Sequence, residues 1–206
     1  FKGLMLMELW CGQGRISDAI RAAGHKALKI GLKHGHDLND ADTKQYVDAC
    51  LHESPPEALV CSPQCTNWCK YNMEINGDIP GKMAEFEAKQ ETERPTLKWM
   101  ADHMKEQMRN NKLLIFEQPE GSTMIYEPYL MEVLKQCEFA ELDQCTLGLV
   151  HPINGKPIRK RTWIWTNNPS IAQDLNRECQ CKEESIDKEK PRKHAWIQGR
   201  VNIDGQ

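Results

Sequence analysis

The sequence predicts an α/β fold: a doubly wound, mostly parallel sheet in three layers. Three observations predict it. Short apolar runs alternate with stretches of helical periodicity between residues 4 and 167. The first run stops at a Gly-x-Gly turn that opens a helix. Chemistry-bearing residues cluster where the runs end, which is where such sheets bind ligands.

The elements follow in order. Leu4 to Trp10 is a strand, and Ile16, Ala19, Ile20 and Ala23 recur at helical spacing until Gly24 ends the pattern. Ala27 to Leu32 is a second strand, Thr43 to Leu51 a helix, and Glu57 to Val60 a buried strand that runs into CSPQCTNWC. Between Gly81 and Asn111 the stripe Trp99, Met100, Met104, Met108 predicts an amphipathic helix, with Pro95 at its start. Leu113 to Phe116 is a strand ending at Glu117-Gln118-Pro119. Tyr129 to Gln136 reads as a helix, Ala140 to Leu147 as a strand and Thr162 to Thr166 as another. Residues 1–167 are thus expected to form one α/β domain, the catalytic one if the chain is an enzyme, and 168–206 a short charged arm.

Composition narrows the functional classes. The 206 residues are 39% hydrophobic and 28% charged, which suits a globular chain and excludes collagen-like or wholly disordered readings. No apolar run is long enough for a membrane span, and no secretory signal pattern opens the chain. The net charge of −3 means that any nucleic-acid contact must use a local basic patch. Nine cysteines, an odd number without a regular framework, point to reduced thiols: an intracellular, reducing compartment, the nucleus in a eukaryote. Phe1 in place of Met is expected of a domain taken from a longer polypeptide, monomeric or part of that parent.

Three turns carry chemistry. In Glu8-Leu9-Trp10-Cys11-Gly12-Gln13-Gly14-Arg15 the glycines let the backbone turn sharply and approach a ligand closely; a plain tight turn would look the same. In Cys61-Ser62-Pro63-Gln64-Cys65-Thr66-Asn67-Trp68-Cys69 a cysteine in a proline-shaped loop is a candidate nucleophile. A buried structural thiol or a Cys-rich metal site would use the same residues, although the even four-residue spacing suits zinc poorly. In Glu117-Gln118-Pro119-Glu120-Gly121-Ser122 a carboxylate at a strand end suits hydrogen bonding to a heterocycle, or acts as a helix N-terminal acid.

Together these stretches resemble the DNA cytosine-5 methyltransferase family. The closest likeness is to a compact, divergent branch of the kind found in phages, viruses and retroelements. Gly12-Gln13-Gly14 is similar to the family's cofactor motif, Ser62-Pro63-Gln64-Cys65 to its Pro-Cys loop, with Trp68 at the aromatic position. Glu117-Gln118-Pro119 is similar to its Glu-Asn motif, and the stretch Gly155 to Thr162, containing Arg159 and Arg161, to its Arg-x-Arg strand entry. The resemblance implies a Rossmann-like S-adenosylmethionine-dependent fold and methyl transfer to carbon 5 of a flipped-out cytosine, leaving S-adenosylhomocysteine. It implies Cys65 as nucleophile, Glu117 on the ring, and Arg159 and Arg161 on the base carbonyl or a phosphate. Leu9, Trp10, Cys11, Gly12, Gln13, Gly14, Asp37, Leu38, Ser62 and Pro63 would hold the cofactor, with Asp37 on its adenine. DNA is the implied partner, and RNA the alternative, since one branch of the family uses tRNA.

The departures also carry expectations. The second strand runs into Gly31-Leu32-Lys33-His34, without the acid that binds the cofactor ribose, so Glu8 or Asp37 would have to compensate. The Gln of the usual Gln-x-Arg-x-Arg is not in order, and too few residues follow Asn167 for a full target-recognition domain. A catalytically silent module that binds nucleic acid or a partner is therefore the reading from another class. Cys179, Cys181 and His194 lie in the tail, but without a fourth ligand at suitable spacing no metal site is expected there.

Overall fold

The structure is a computed structural model and describes residues 3–179, 194 and 195. Six strands, β1 (Leu4–Leu9), β2 (Lys26–Ile30), β3 (Ala58–Cys61), β4 (Leu113–Pro119), β5 (Glu138–Asp143) and β6 (Arg161–Thr166), form one sheet. Their order is β2-β1-β3-β4-β6-β5. The four strands from β2 to β4 pair in parallel, whereas β6 is antiparallel to both of its neighbours. The sheet is therefore mostly parallel, and with helices on both faces the architecture is Rossmann-like.

Among the described residues six helices surround it: α1 (Arg15–Ala22), α2 (Ala41–Glu53), α3 (Lys70–Asn76), α4 (Lys82–Arg109), α5 (Pro128–Leu134) and α6 (Pro169–Leu175). The period-2 alternation of the strands decides which face each side chain meets. Met7, Leu9, Leu114 and Phe116 point into the main core, against Val47 of α2, Met100 and Met104 of α4 and Leu130 of α5. On the opposite face Leu6, Ala27 and Val60 meet Ile20 of α1, while Ala140 and Ile164 meet Ala172 of α6. Trp99 and Met108 flank the main core, so the Met and Trp stripe is a packing face.

Helices α3 and α6 were not expected from the sequence, and two expected elements differ for a clear reason. Pro95 lies inside α4 instead of at its start. An interior proline costs roughly 3 kcal/mol, but Leu97, Met100, Ala101 and Met104 are buried on one side of it. Upstream of the proline, Gln90 and Glu93 are tied to the 62–69 loop. Both halves of the helix are thus held from outside. The strand expected to run to Leu147 ends at Asp143 and turns into a 3₁₀ turn over Gln144–Leu147. Beyond residue 167, α6 packs on β5 and β6, so the fold continues to at least Leu175. Most of the expected charged arm lies outside the described residues.

Candidate active site at the carboxyl edge of the sheet

The first half of the site forms where β1, β2 and β3 end. After Leu9 the chain turns through Trp10, which takes a left-handed φ of 54°, and Gly12 and Gly14 follow at 54° and 68°. A side-chain residue in that region is uncommon and is held there by its surroundings. Here the Cys11 N–H donates to the Ile30 carbonyl and the Gly14 N–H to the Cys11 carbonyl. The two glycines serve different needs. A Cβ on Gly12 would meet open space, whereas one on Gly14 would strike the Lys29 stem at 2.6 Å. Gly14 thus admits Lys29, whose ammonium reaches Asp18 at 2.6 Å.

Trp10 and Pro63 line a narrow cleft with Asn39, Gln64 and, from α4, Glu93, Thr96 and Leu97. Leu38 is buried next to it, and Asp37 is exposed, its Oδ1 accepting the Asn39 N–H at 2.9 Å. Leu9 and Cys11 are buried and Gln13 is exposed. Burial, then the nearby Glu8, push the Cys11 thiol up. The Glu8 carboxylate accepts both the N–H and the hydroxyl of Ser17, so it is occupied within the fold. After β2 comes a 3₁₀ turn, Leu32–His34, that contains no acid.

The second half is the 62–69 loop and its support. Trp68 is buried, and its Nε1–H donates to Glu93 at 2.6 Å; Asn67 donates to the same carboxylate at 2.7 Å. The Arg94 guanidinium sits over the Trp68 ring and binds Glu127 and Glu91. From β4, fully buried Gln118 donates its amide to the Pro63 carbonyl at 2.8 Å and accepts the Ser122 hydroxyl at 2.7 Å. The Thr123 N–H and hydroxyl both donate to the Trp68 carbonyl, and the Lys70 N–H donates to that of Gly121. Gln118, Gly121 and Ser122 therefore form a brace that holds the cysteine loop against the end of β4.

This brace brings Cys65 and Glu117 into one electrostatic environment. Burial, then Cys69 and Glu117, push the Cys65 thiol up, and Lys160 pulls it back. Burial pushes the Glu117 carboxyl up too, again opposed by Lys160. At rest the site thus favours a neutral thiol, and the carboxyl holds its proton above the ordinary glutamate range, with one cation able to reach both. Cys61 is fully buried at the end of β3, where desolvation strongly disfavours its thiolate.

Arg159 and Arg161 are placed differently. Arg161 Nε and Nη2 bind the two Asp143 oxygens at 3.0 and 3.1 Å, and Arg159 Nε lies 3.3 Å from the same carboxylate. Asp143 is fully buried. Burial alone would raise its pKa, but Arg161, the Cys179 N–H and Arg159 hold it down to about 2. Of the basic stretch, Lys160 is the residue whose charge reaches Cys65 and Glu117. Sequence reasoning missed Lys160 as a distinct member, and it missed the brace and the α4 lining. The alternation of side chains around Arg159 and Arg161 was the available signal for Lys160, since the residue between two arginines on one side projects to the other.

The fold and this edge define a Rossmann-like α/β protein with a cysteine, a carboxyl and an ammonium near a narrow cleft. No family model and no curated protein sequence matches the chain. Among solved structures the chain is similar to the methyltransferase EhMeth of Entamoeba histolytica, at 15% identity and a TM-score of 0.42. The match covers 98% of this chain and 62% of that one, so the chain spans less than two thirds of that protein's length. Among the described residues no helix is long and apolar enough to cross a membrane.

Proposed function

We propose that the chain is an S-adenosylmethionine-dependent methyltransferase acting on carbon 5 of a flipped-out cytosine in DNA. The observation that carries this reading is the Gln118–Ser122 brace. It holds the Cys65 loop against the end of β4, the strand that carries Glu117, whose carboxyl is pushed up by burial. The cleft lined by Trp10, Asn39 and Pro63, with open space at Gly12, would take one part of the cofactor at the strand ends. S-adenosylmethionine would supply an electrophilic sulfonium methyl and leave as S-adenosylhomocysteine.

The chain's own residues account for the rest of the chemistry. Cys65 gives its proton to solvent, and its sulfur bonds to carbon 6 of the ring. The electron pair of the 5,6 double bond is thereby released toward carbon 5, and the carbon becomes nucleophilic. Glu117 donates its proton to ring nitrogen 3, so the ring does not accumulate negative charge. Lys160 stabilises the thiolate as it forms. After methyl transfer solvent takes the proton from carbon 5, the sulfur–carbon bond breaks, Cys65 leaves as thiolate and the proton on ring nitrogen 3 returns to Glu117. Because carbon 6 is hidden in a duplex, the base has to be rotated out, at a cost of a few kcal/mol. Arg159 and Arg161, anchored on Asp143, stiffen the segment that presents Lys160, and a phosphate contact falls to Lys156.

A competition between duplex DNA and tRNA for methyl groups from labelled cofactor tests the reading. Label on cytosine carbon 5 of DNA is the expected result. Label only in tRNA would move the substrate to RNA. The absence of label together with no calorimetric binding of millimolar cofactor would replace the enzyme by a silent binding module.

A further inference from the structure

Three potential metal ligands converge at the far end of the sheet from the cofactor cleft. Cys145 lies in the 3₁₀ turn after β5, Cys179 follows α6, and His194 belongs to a segment that returns beside residue 157. Their ligand atoms all lie within 4.8 Å of one another, and Cys179 Sγ is 3.3 Å from His194 Nε2. Main-chain bonds set each position. The Arg177 N–H donates to the Glu141 carbonyl, and the Asp143 N–H to the Arg177 carbonyl, so the segment leading to Cys179 runs alongside the end of β5. The Cys179 N–H then donates to the buried Asp143 carboxylate at 2.8 Å. The Ala195 N–H donates to the Pro157 carbonyl at 2.8 Å, which fixes the residue after His194.

We propose that Cys145, Cys179 and His194 bind a zinc ion that staples the C-terminal segment to the loop carrying Lys160. The donor set selects the metal. Two sulfurs and an imidazole, with no carboxylate among them, suit zinc and exclude calcium and magnesium, which take oxygen ligands. Tetrahedral zinc takes four donors, so a water would complete the set beside these three side chains, and bonds of about 2.0–2.3 Å need donors roughly 3.5–4 Å apart, compatible with the spread found here. Binding forms two zinc–sulfur bonds and releases the two thiol protons to solvent, so the ion's charge of two is balanced by two thiolates. The sequence spacing concealed the site. Cys145 lies far from the tail and joins it only because the Arg177 segment pairs with β5. The site therefore revises the expectation that the tail holds no metal. Cys181, considered with it in the sequence, lies outside the described residues. The inference is independent of the proposed methyl transfer, because it concerns this cluster alone.

The test uses the full 206-residue chain, purified under reducing conditions. Elemental analysis should find one zinc per chain. Replacement by cobalt should give the intense visible bands of a tetrahedral ion together with a thiolate charge-transfer band. Cys145→Ser, Cys179→Ser and His194→Ala should each lose the metal on desalting, while Cys137→Ser should keep it. Should a ligand variant fail to fold, the wild-type protein still decides: a chelator should remove the zinc and lower its Tm. Folded wild-type protein with far less than one zinc per chain would overturn the proposal. So would zinc retained by the Cys145→Ser/Cys179→Ser double variant, or a Cys145–Cys179 disulfide mapped in the reduced preparation.

Discussion

The two halves of the sheet's carboxyl edge are built in different ways. At the β1, β2 and β3 ends, backbone shape does most of the work. Left-handed φ values at Trp10, Gly12 and Gly14 and bonds among Cys11, Gly14 and Ile30 define the turn with few side-chain contacts. At the ends of β4 and β5 and the start of β6, side chains distant in sequence hold one another: Gln118 on Pro63, Glu93 on Trp68, Asp143 on Arg159 and Arg161. A turn made of backbone tolerates side-chain change but not a Cβ where φ forbids it. A braced loop has the opposite sensitivity, because removing one partner leaves a buried polar group unpaired.

The largest expected effect lies in the braced half. Glu117→Gln removes the transferable proton while keeping shape, and should slow methyl transfer by about 10²–10⁴-fold, measured as single-turnover rate with labelled cofactor. A change of less than tenfold would remove Glu117 from the chemistry. Next comes the brace itself. Gln118→Ala strands the Pro63 carbonyl and the Ser122 hydroxyl, which should cost roughly 1–3 kcal/mol and lower the Tm by roughly 2–4 °C per kcal/mol. Exposed Glu120→Ala in the same motif should stay within about 0.5 kcal/mol. Equal effects in the two variants would show that the contrast between brace and surface is false.

The backbone-built half should show its weakness in affinity. Without a carboxylate at the end of β2, the missing charge-assisted bond costs about 1.5–3 kcal/mol, or roughly ten- to hundredfold. Calorimetry should therefore give a cofactor Kd above about a micromolar, and tighter binding would show that another group has taken the role.

The smallest effects are titrations. Because the Cys65 thiol is pushed up, its alkylation should rise with pH through a midpoint above the ordinary thiol value of 9.0. Glu117→Gln removes a raising charge and should lower that midpoint; Lys160→Ala removes a lowering one and should raise it. Glu117 also contributes to stability. Its folded pKa is raised, so the folded state holds the proton more tightly than the unfolded chain, and ionisation costs stability as pH climbs. Glu117→Gln should therefore raise the Tm at neutral and higher pH. The gain should fade below the ordinary carboxyl value of 4.5, where both states are protonated.

How much of this was legible in the sequence follows the same division. The mostly parallel α/β sheet, the Gly-x-Gly turn, the loop after β3 that carries Cys65 and the strand that carries Glu117 were readable, because hydrophobic period and turn residues are local signals. Pro95 was misplaced because the contacts that hold α4 together through it, from Glu93 and Gln90 to the 62–69 loop, are tertiary. Gln118 and Ser122 could be matched to a motif, but not seen as a brace, since nothing local tells a buried amide from an exposed one. Lys160 was hidden among its basic neighbours for a related reason: which cation faces the site depends on Asp143, eighteen residues before Arg161.

Trapping of the covalent adduct tests the central claim most directly. Duplex DNA carrying 5-fluorocytosine should give a stable complex with the wild-type chain in the presence of S-adenosylmethionine, because the fluorine cannot leave as a proton does. Peptide mapping should place the adduct on Cys65. It should persist in Cys61→Ala and Cys69→Ala and vanish in Cys65→Ala. An adduct that survives Cys65→Ala, or that maps to Cys69, would contradict the account.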